Sequence, residues 1–332
     1  MLNVVKEKQL SEPVSSLNGS DMEKGSSLWA DALVRLHKNQ LAVFGAVTIA
    51  VILLLCFILA PILSATGMDA NAQDLSNRFG GLGNGGVLGT DQLGRDLMLR
   101  VLEGGQISLL VAIVATLLTV SIGVVYGGIA GYVGGPLGSV MMRIVDGLLA
   151  MPFLIIVILF REVISGQILE FESFLETTLN WEKDTVRRLS NLVPLTIAIA
   201  AFGWLNMGRI VRTAAASLAK QEFVEAAHSL GLSHSRILFR YILPNMLGPV
   251  IIYATLTIPS FILYEATLSF IGLGIEPPNS SWGTLIKEGA NYLETNKTVL
   301  VVPALLFSLT LFAFNFLGDG LRDALDPKSS KD

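Results

Sequence analysis

Apolar side chains in this chain fall in long unbroken runs rather than at the alternating or every-third-residue spacing of a half-buried strand or helix. Residues 41–63 (LAVFGAVTIAVILLLCFILAPIL) carry no charged side chain, and neither do 107–142, 241–264 or 298–318. About 18 apolar residues suffice for a helix to cross a hydrocarbon core of about 30 Å. The pattern predicts six spans, at 41–63, 107–131, 140–160, 190–209, 244–271 and 299–318. Stretch 107–142 is too long for one helix, and GYVGGPLG (131–138), with four glycines and a proline, supplies the turn that divides it. The expected fold class is therefore all-α, a polytopic membrane protein with six transmembrane helices.

Composition agrees with this reading. Of 332 residues, 52% are hydrophobic and 15% charged, against about 25% charged in soluble domains. Soluble enzymes, disulfide scaffolds and disordered proteins are excluded on that ground. The single cysteine, Cys56, lies inside the first run and has no intramolecular partner. That run is longer than the apolar core of a cleavable signal, so it reads as a retained anchor.

Charge orients the spans. With the N-terminus in the cytoplasm, the inner segments hold 14 Lys and Arg against 9 in the outer ones, the sense of the positive-inside rule. Both termini are then cytoplasmic. Residues 1–27 are rich in Ser, Glu and Lys, a composition of disorder. SLWADALVRLHKNQ (27–40) reads as a short interfacial helix, with Trp29, Leu33 and Leu36 on one side. The expected divisions are 1–40 (tail and interfacial helix), 41–106 (first span and outer loop), 107–318 (the transmembrane domain, with a cytoplasmic loop at 209–243) and 319–332 (tail).

Motifs for chemistry fail. Gly81-Leu-Gly83-Asn-Gly85-Gly86 matches G-x-G-x-x-G in form but has no flanking strand. No glycine precedes a lysine, so there is no Walker A loop and no ATPase site. His228 and His234 are six residues apart, off the spacing of a helical metal pair. No catalytic residue, cofactor site or metal site is expected.

The informative segment is RIVRTAAASLAKQEFVEAAHSLGLSHSRILFRYILPN (209–245). Ala214 to Leu230 reads as one helix ended by Gly231, where a positive φ is wanted. Ser233 is placed to cap a second helix, His234 to Tyr241, closed by Pro244. Two helices around a glycine turn make a knob suited to docking. Glu225-Ala226-Ala227, Gly231 four residues later and Leu243-Pro244 resemble the EAA loop of ABC-importer permeases, with Tyr241 where many members have isoleucine.

Further segments are similar to peptide-importer permeases of the OppC/DppC type: GTDQLGRDLMLRVLEGGQISL (89–109), GYVGG (131–135), MMRIVD (141–146), LSFIGLGIEPPNSSWG (268–283) and LGDGLRDALDPK (317–328). The resemblance runs from Ser27 to Lys328; the segment at 161–189 departs from it as a longer outer loop. It implies a type I ABC importer permease fold and a chain that forms half of a translocation pore. A homologous second permease, two cytoplasmic ATP-binding subunits and an extracytoplasmic peptide-binding protein are the implied partners in a bacterial inner membrane. Oligopeptides are the implied cargo, ahead of dipeptides or small solutes such as nickel chelates. Glu225, Ala226, Ala227, Gly231, Leu243 and Pro244 are the implied ATPase-coupling residues.

Weaker candidates remain. Glu265 lies about 30 Å along the fifth span from Pro244, placed to line an outer mouth or to pair within the helix bundle. Asp146 is expected to pair with Arg143 three residues before it. Gly, Ala and Ser at 123–139 suit close helix packing. A secondary transporter would show an inverted repeat and several midplane acids, which this sequence lacks. An intramembrane enzyme would need a nucleophile, a base or metal ligands.

Overall fold

The computed structural model describes residues 28–178 and 181–325. Their regular structure is helical, with one isolated bridge between Thr90 and Asp96. A short helix α1 (Leu28–Lys38) leads into α2 (Gln40–Ala65), which Asn39 caps by accepting the Leu41 and Ala42 N–H groups. Ala32 is buried and Leu36 half-buried, whereas Leu33 is exposed, so the expected stripe divides between two faces. The side chain of Trp29 lies outside the described residues.

Helix α3 (Leu97–Val133) is 37 residues long and starts ten residues before the expected span. Asp96 sets that start, its Oδ1 accepting the Leu99 N–H at 2.8 Å. The predicted turn follows at once, with Gly134 and Gly135 both at positive φ. Helix α4 (Gly135–Leu149) and helix α5 (Phe153–Thr178) then meet at a bend of 93°. The expected third span at 140–160 is thus not one straight helix. Pro152 is the cause that sequence reasoning passed over: it disfavours a helical conformation at Met151 and cannot donate into the turn before it. Among the described residues, five helices are long and apolar enough to cross a membrane, or six if the bent pair is one span.

The segment at 161–189, expected as an outer loop between spans, is largely helical: α5 runs through it to Thr178, and α6 (Lys183–Ser190) turns back against it, with Leu175 and Val186 buried. Ser190 donates to Glu172, and Arg188 O accepts from Asn279. Phe174, beside buried Leu175, is exposed.

Helix α7 (Val193–Leu218) packs along α3, the most extensive helix pair in the protein. Gly123, Gly127 and Gly131 recur every fourth residue of α3 and face it. A Cβ on Gly127 would lie 2.3 Å from Gly208 O, and one on Gly131 would lie 2.4 Å from Arg212 O. Gly127 and Gly131 therefore serve backbone-to-backbone packing, as expected from the sequence, while Gly134 and Gly135 form the turn. Helices α8 (Glu222–Ser229) and α9 (His234–Ile237) precede α10 (Leu247–Phe270), α11 (Trp282–Asn291) and α12 (Thr298–Leu325).

Candidate functional site: the helical knob and the cap at the opposite end

One end of the bundle carries the knob. The long helix expected from Ala214 to Leu230 breaks at Ala219–Gln221, so α8 starts afresh at Glu222 with Glu222 and Glu225 in its first turn. Acids there complement the helix dipole. At its C-terminus, Leu232 N donates to Ala227 O at 3.2 Å and Gly231 N to His228 O at 2.9 Å. These are the two bonds of a Schellman cap, and Gly231 holds the required left-handed position with φ +75°. The interval between Ala227 and Gly231 is thus the length of one helix terminator.

The six candidate coupling residues divide by exposure. Glu225, Ala226, Gly231 and Pro244 are exposed; Ala227 is buried at 4% and Leu243 half-buried. Ala227 therefore does not face a docking partner. It joins Val224 and Ile237 in a core continuous with Met207, Val211 and Ala215 of α7. Leu243 reaches α3, where a Cβ on Gly128 would lie 2.9 Å from its Cδ2. Among the described residues no hydrogen bond or ion pair engages the Glu225 carboxylate; Ser229 Oγ donates to its main-chain carbonyl at 3.0 Å. Phe223 and Leu230 are exposed beside it, the latter at 80%.

Ser233 precedes α9 with extended backbone but makes no side-chain cap bond. The second helix ends at Ile237 and continues through a π turn, Leu238–Ile242, before Pro244. Tyr132, at the end of α3, braces the knob: its hydroxyl lies 2.9 Å from His234 Nδ1 and 3.2 Å from His228 Nε2. The histidines thus brace the turn from both sides, a role that their separation of six residues does not announce.

The opposite end is a polar cap assembled from the 89–109 segment and Glu288 of α11. Asp91 and Arg100 are buried, and Arg100 Nη1 lies 2.6 Å from Asp91 Oδ2 and 2.9 Å from Glu288 Oε2. Arg95 and Gln92 also reach Glu288. Burial pushes the Glu288 carboxyl up, but the hydrogen bond and charge of Arg100, with Gln92 and Arg95, outweigh it and hold the pKa below its ordinary value.

Glu265 sits beneath this cap and not at a mouth. It is wholly buried, with Oε2 accepting from Ser108 at 2.7 Å and Oε1 from Ser269 at 2.6 Å. Ser108 also accepts the Trp282 N–H, and Trp282 Nε1 donates to Val101 O at 3.0 Å. The acid ties α3, α10 and α11 together. Asp146 likewise departs from expectation: its partner is Arg209 of α7, whose Nε lies 3.1 Å from Oδ1, and not Arg143.

Among the described residues, an all-helical bundle with five or six candidate spans and one exposed knob defines a multi-span membrane protein. Residues 123–331 match the family described as "Binding-protein-dependent transport system inner membrane component", and the chain belongs to that family. Residues 27–81 match the N-terminal transmembrane domain of oligopeptide transport permease C. The chain is 41% identical to the "Oligopeptide transport system permease protein OppC" of Escherichia coli (strain K12), covering 97% of this chain and 98% of the relative. Identity to the protein of the same name from Bacillus subtilis (strain 168) is 38%, over 98% of both chains. The "Dipeptide transport system permease protein DppC" of the same Bacillus is 38% identical over 90% of this chain and 85% of its own. Among solved structures, the MetNI methionine ABC transporter in inward-facing conformations aligns with a TM-score of 0.47 at 20% identity, covering 69% of this chain and 98% of that one.

Proposed function

We propose that this chain is a permease subunit of an ATP-driven peptide importer, with oligopeptides as cargo. The relatives' names supply the peptide; dipeptides are the second reading, since a dipeptide permease matches nearly as well. A homologous second permease completes the pore, two cytoplasmic ATP-binding subunits hydrolyse ATP, and an extracytoplasmic binding protein delivers cargo. The chain itself hydrolyses none.

The observation that carries the mechanism is the knob. Exposed Glu225, Ala226 and Gly231 form a small-residue surface flanked by Phe223 and Leu230, the composition of a ridge that seats in a groove. Its underside shares a core with α7 and, through Met246 and Val250, with α10. A push on the ridge therefore moves packed helices, because a core at crystal-like density transmits displacement. ATPase closure would tilt the spans by this route.

Gly231 gives the test. A Cβ there meets nothing within 4 Å inside the chain, so Gly231→Trp carries only the strain of a left-handed residue, about 1–2 kcal/mol. The bulk projects toward the docking partner. Purified complexes carrying Gly231→Trp should lose the ATP-binding subunits and peptide uptake, while Gly231→Asn, which tolerates positive φ, retains both. Wild-type retention in the tryptophan variant would show that the partner docks elsewhere.

The bacterial inner membrane, with both termini cytoplasmic, is the proposed setting. A cysteine at Ser235, exposed on the knob, should react with impermeant reagents only from the cytoplasm, and one at exposed Thr295 only from outside. The reverse pattern would invert the topology. Ser281, in the outer signature, is wholly buried and is no reporter.

A further inference from the structure

Two helices that cross the membrane carry polar stripes that no helix of this chain covers. On α7, Asn206, Arg209, Thr213 and Ser217 recur at intervals of three and four and are all exposed. On α10, Tyr253, Thr257, Ser260 and Tyr264 recur in the same way, and each is exposed or half-buried. Residues three and four apart share one face of a helix. A charged or amide side chain turned toward lipid is costly, so these faces look onto water or a polar occupant.

The stripes line one concavity. A cavity of about 440 Å³ opens between α7, α10 and the α4–α5 bend, and a second of about 490 Å³ continues it, with Ile210 and Tyr253 lining both. Thr257 Oγ1 donates to Tyr253 O at 2.6 Å and Thr213 Oγ1 to Arg209 O at 3.1 Å. With their protons so engaged, both hydroxyls turn lone pairs outward as acceptors. Hydroxyls, an amide and tyrosine rings bind main-chain N–H and C=O groups without regard to side-chain type.

Of the residues lining the two cavities, Arg209 is the charged one, and it pairs with Asp146. Asp146 lies about 16 Å along α4 from its start, and Arg209 about 14 Å from the end of α7, so the pair sits well inside the bundle. Both side chains are about half exposed, at 57% and 47%. Arg209 directs Nε and Nη2 at the same oxygen, Oδ1. Among the described residues, no hydrogen bond or ion pair engages Asp146 Oδ2 or Arg209 Nη1. The pair therefore presents a free acceptor of negative charge beside a free donor of positive charge.

We propose that this surface is a binding site for linear peptides, in which the Asp146–Arg209 pair opens to take one charged main-chain terminus, an ammonium on Asp146 or a carboxylate on Arg209. The proposal rests on the importer reading above and adds where, and by which groups, this chain holds its cargo. Termini are the charge that every linear peptide has in common, so such a site is blind to sequence. The bidentate fork of arginine suits a carboxylate, and the neutral stripes beyond it carry the rest of the chain.

The test uses the whole complex of both permeases and the ATP-binding subunits in detergent, with Thr213→Cys as reporter. Buried Cys56 serves as an internal blank, and Val47→Cys, exposed on α2 toward lipid, as a dry control. A charged methanethiosulfonate should modify Thr213→Cys and spare Val47→Cys. Millimolar trialanine should slow that modification at least fivefold, whereas acetyl-trialanine-amide at the same concentration should not. Arg209→Gln, or Asp146→Asn if the first fails to assemble, should erase the difference between the two peptides. An unreactive Thr213→Cys, or equal protection by both peptides, overturns the site. Uptake of labelled trialanine by the same complex in proteoliposomes reads the importer function separately. Uptake without end-dependent protection defeats this site and leaves the importer standing; protection without uptake does the reverse.

Discussion

Arg100 lies 2.6 Å from Asp91 with both side chains sealed from solvent, the arginine 3% and the aspartate 0% exposed. The pair closes the end of the bundle remote from the knob. Asp91 also accepts the N–H groups of Leu93 and Arg95 on its other oxygen. Arg95 Nε also reaches Oδ2, at 2.7 Å, so two guanidinium groups balance the Asp91 charge, Arg100 being the more deeply buried.

Replacing Arg100 by methionine keeps the volume and removes the charge. Breaking a buried pair from one side costs about 3–5 kcal/mol. Arg100→Met should therefore lower the thermal unfolding midpoint of the detergent-solubilised protein markedly. Asp91→Asn with Arg100→Met should recover part of that loss. An unchanged midpoint in the single variant would show that Arg95 alone neutralises Asp91.

Glu288 makes the cap sensitive to acid. Its folded pKa is held below the unfolded value of about 4.3, so its contribution is complete above that value. It is lost as the pH falls through the lowered folded pKa. Unfolding midpoints measured between pH 3 and 7 should decline at the acid end in the wild type. Glu288→Gln should start lower at neutral pH and show a shallower decline.

Glu265 ties three helices and does not face a pathway. Glu265→Gln keeps an acceptor for one serine hydroxyl and should cost about 1 kcal/mol, with uptake close to wild type. Glu265→Leu leaves the hydroxyls of Ser108 and Ser269 without their acceptor and should reduce the amount of folded protein recovered. Loss of uptake in a well-folded glutamine variant would instead give the carboxylate a transport role.

Gly127 and Gly166 should respond oppositely. Any side chain on Gly127 meets Gly208 O, so Gly127→Val should force α3 from α7 and impair folding. Gly166, in the middle of α5, has open space about its Cβ. There alanine should stabilise by up to about 1 kcal/mol through helix propensity. Paired melting curves of the two variants in one detergent check both signs.

The sequence by itself determined the membrane class, the approximate spans and the position of the knob. Each of these follows from local information: a run of uncharged residues long enough to cross lipid, or a glycine set four residues after an alanine at a helix end. The small-residue stripe of α3 was legible for the same reason, since a repeat of four is a single helix face. Even the 93° bend had a local sign in Pro152, which reasoning on hydropathy alone overlooked.

Only the tertiary structure decided which partner each buried polar group has. Arg143 is the neighbour of Asp146 in sequence, yet Arg209, 63 residues away, holds it because α4 and α7 lie side by side. Counting rise per residue put Glu265 at the right height and said nothing of its direction, which Ser108 on α3 fixes. Exposure of Ala226 and burial of Ala227 likewise depend on what packs beneath α8. Pairings of this kind are set by the rotation of one helix against another, and that angle is a property of the assembled core and not of any segment within it.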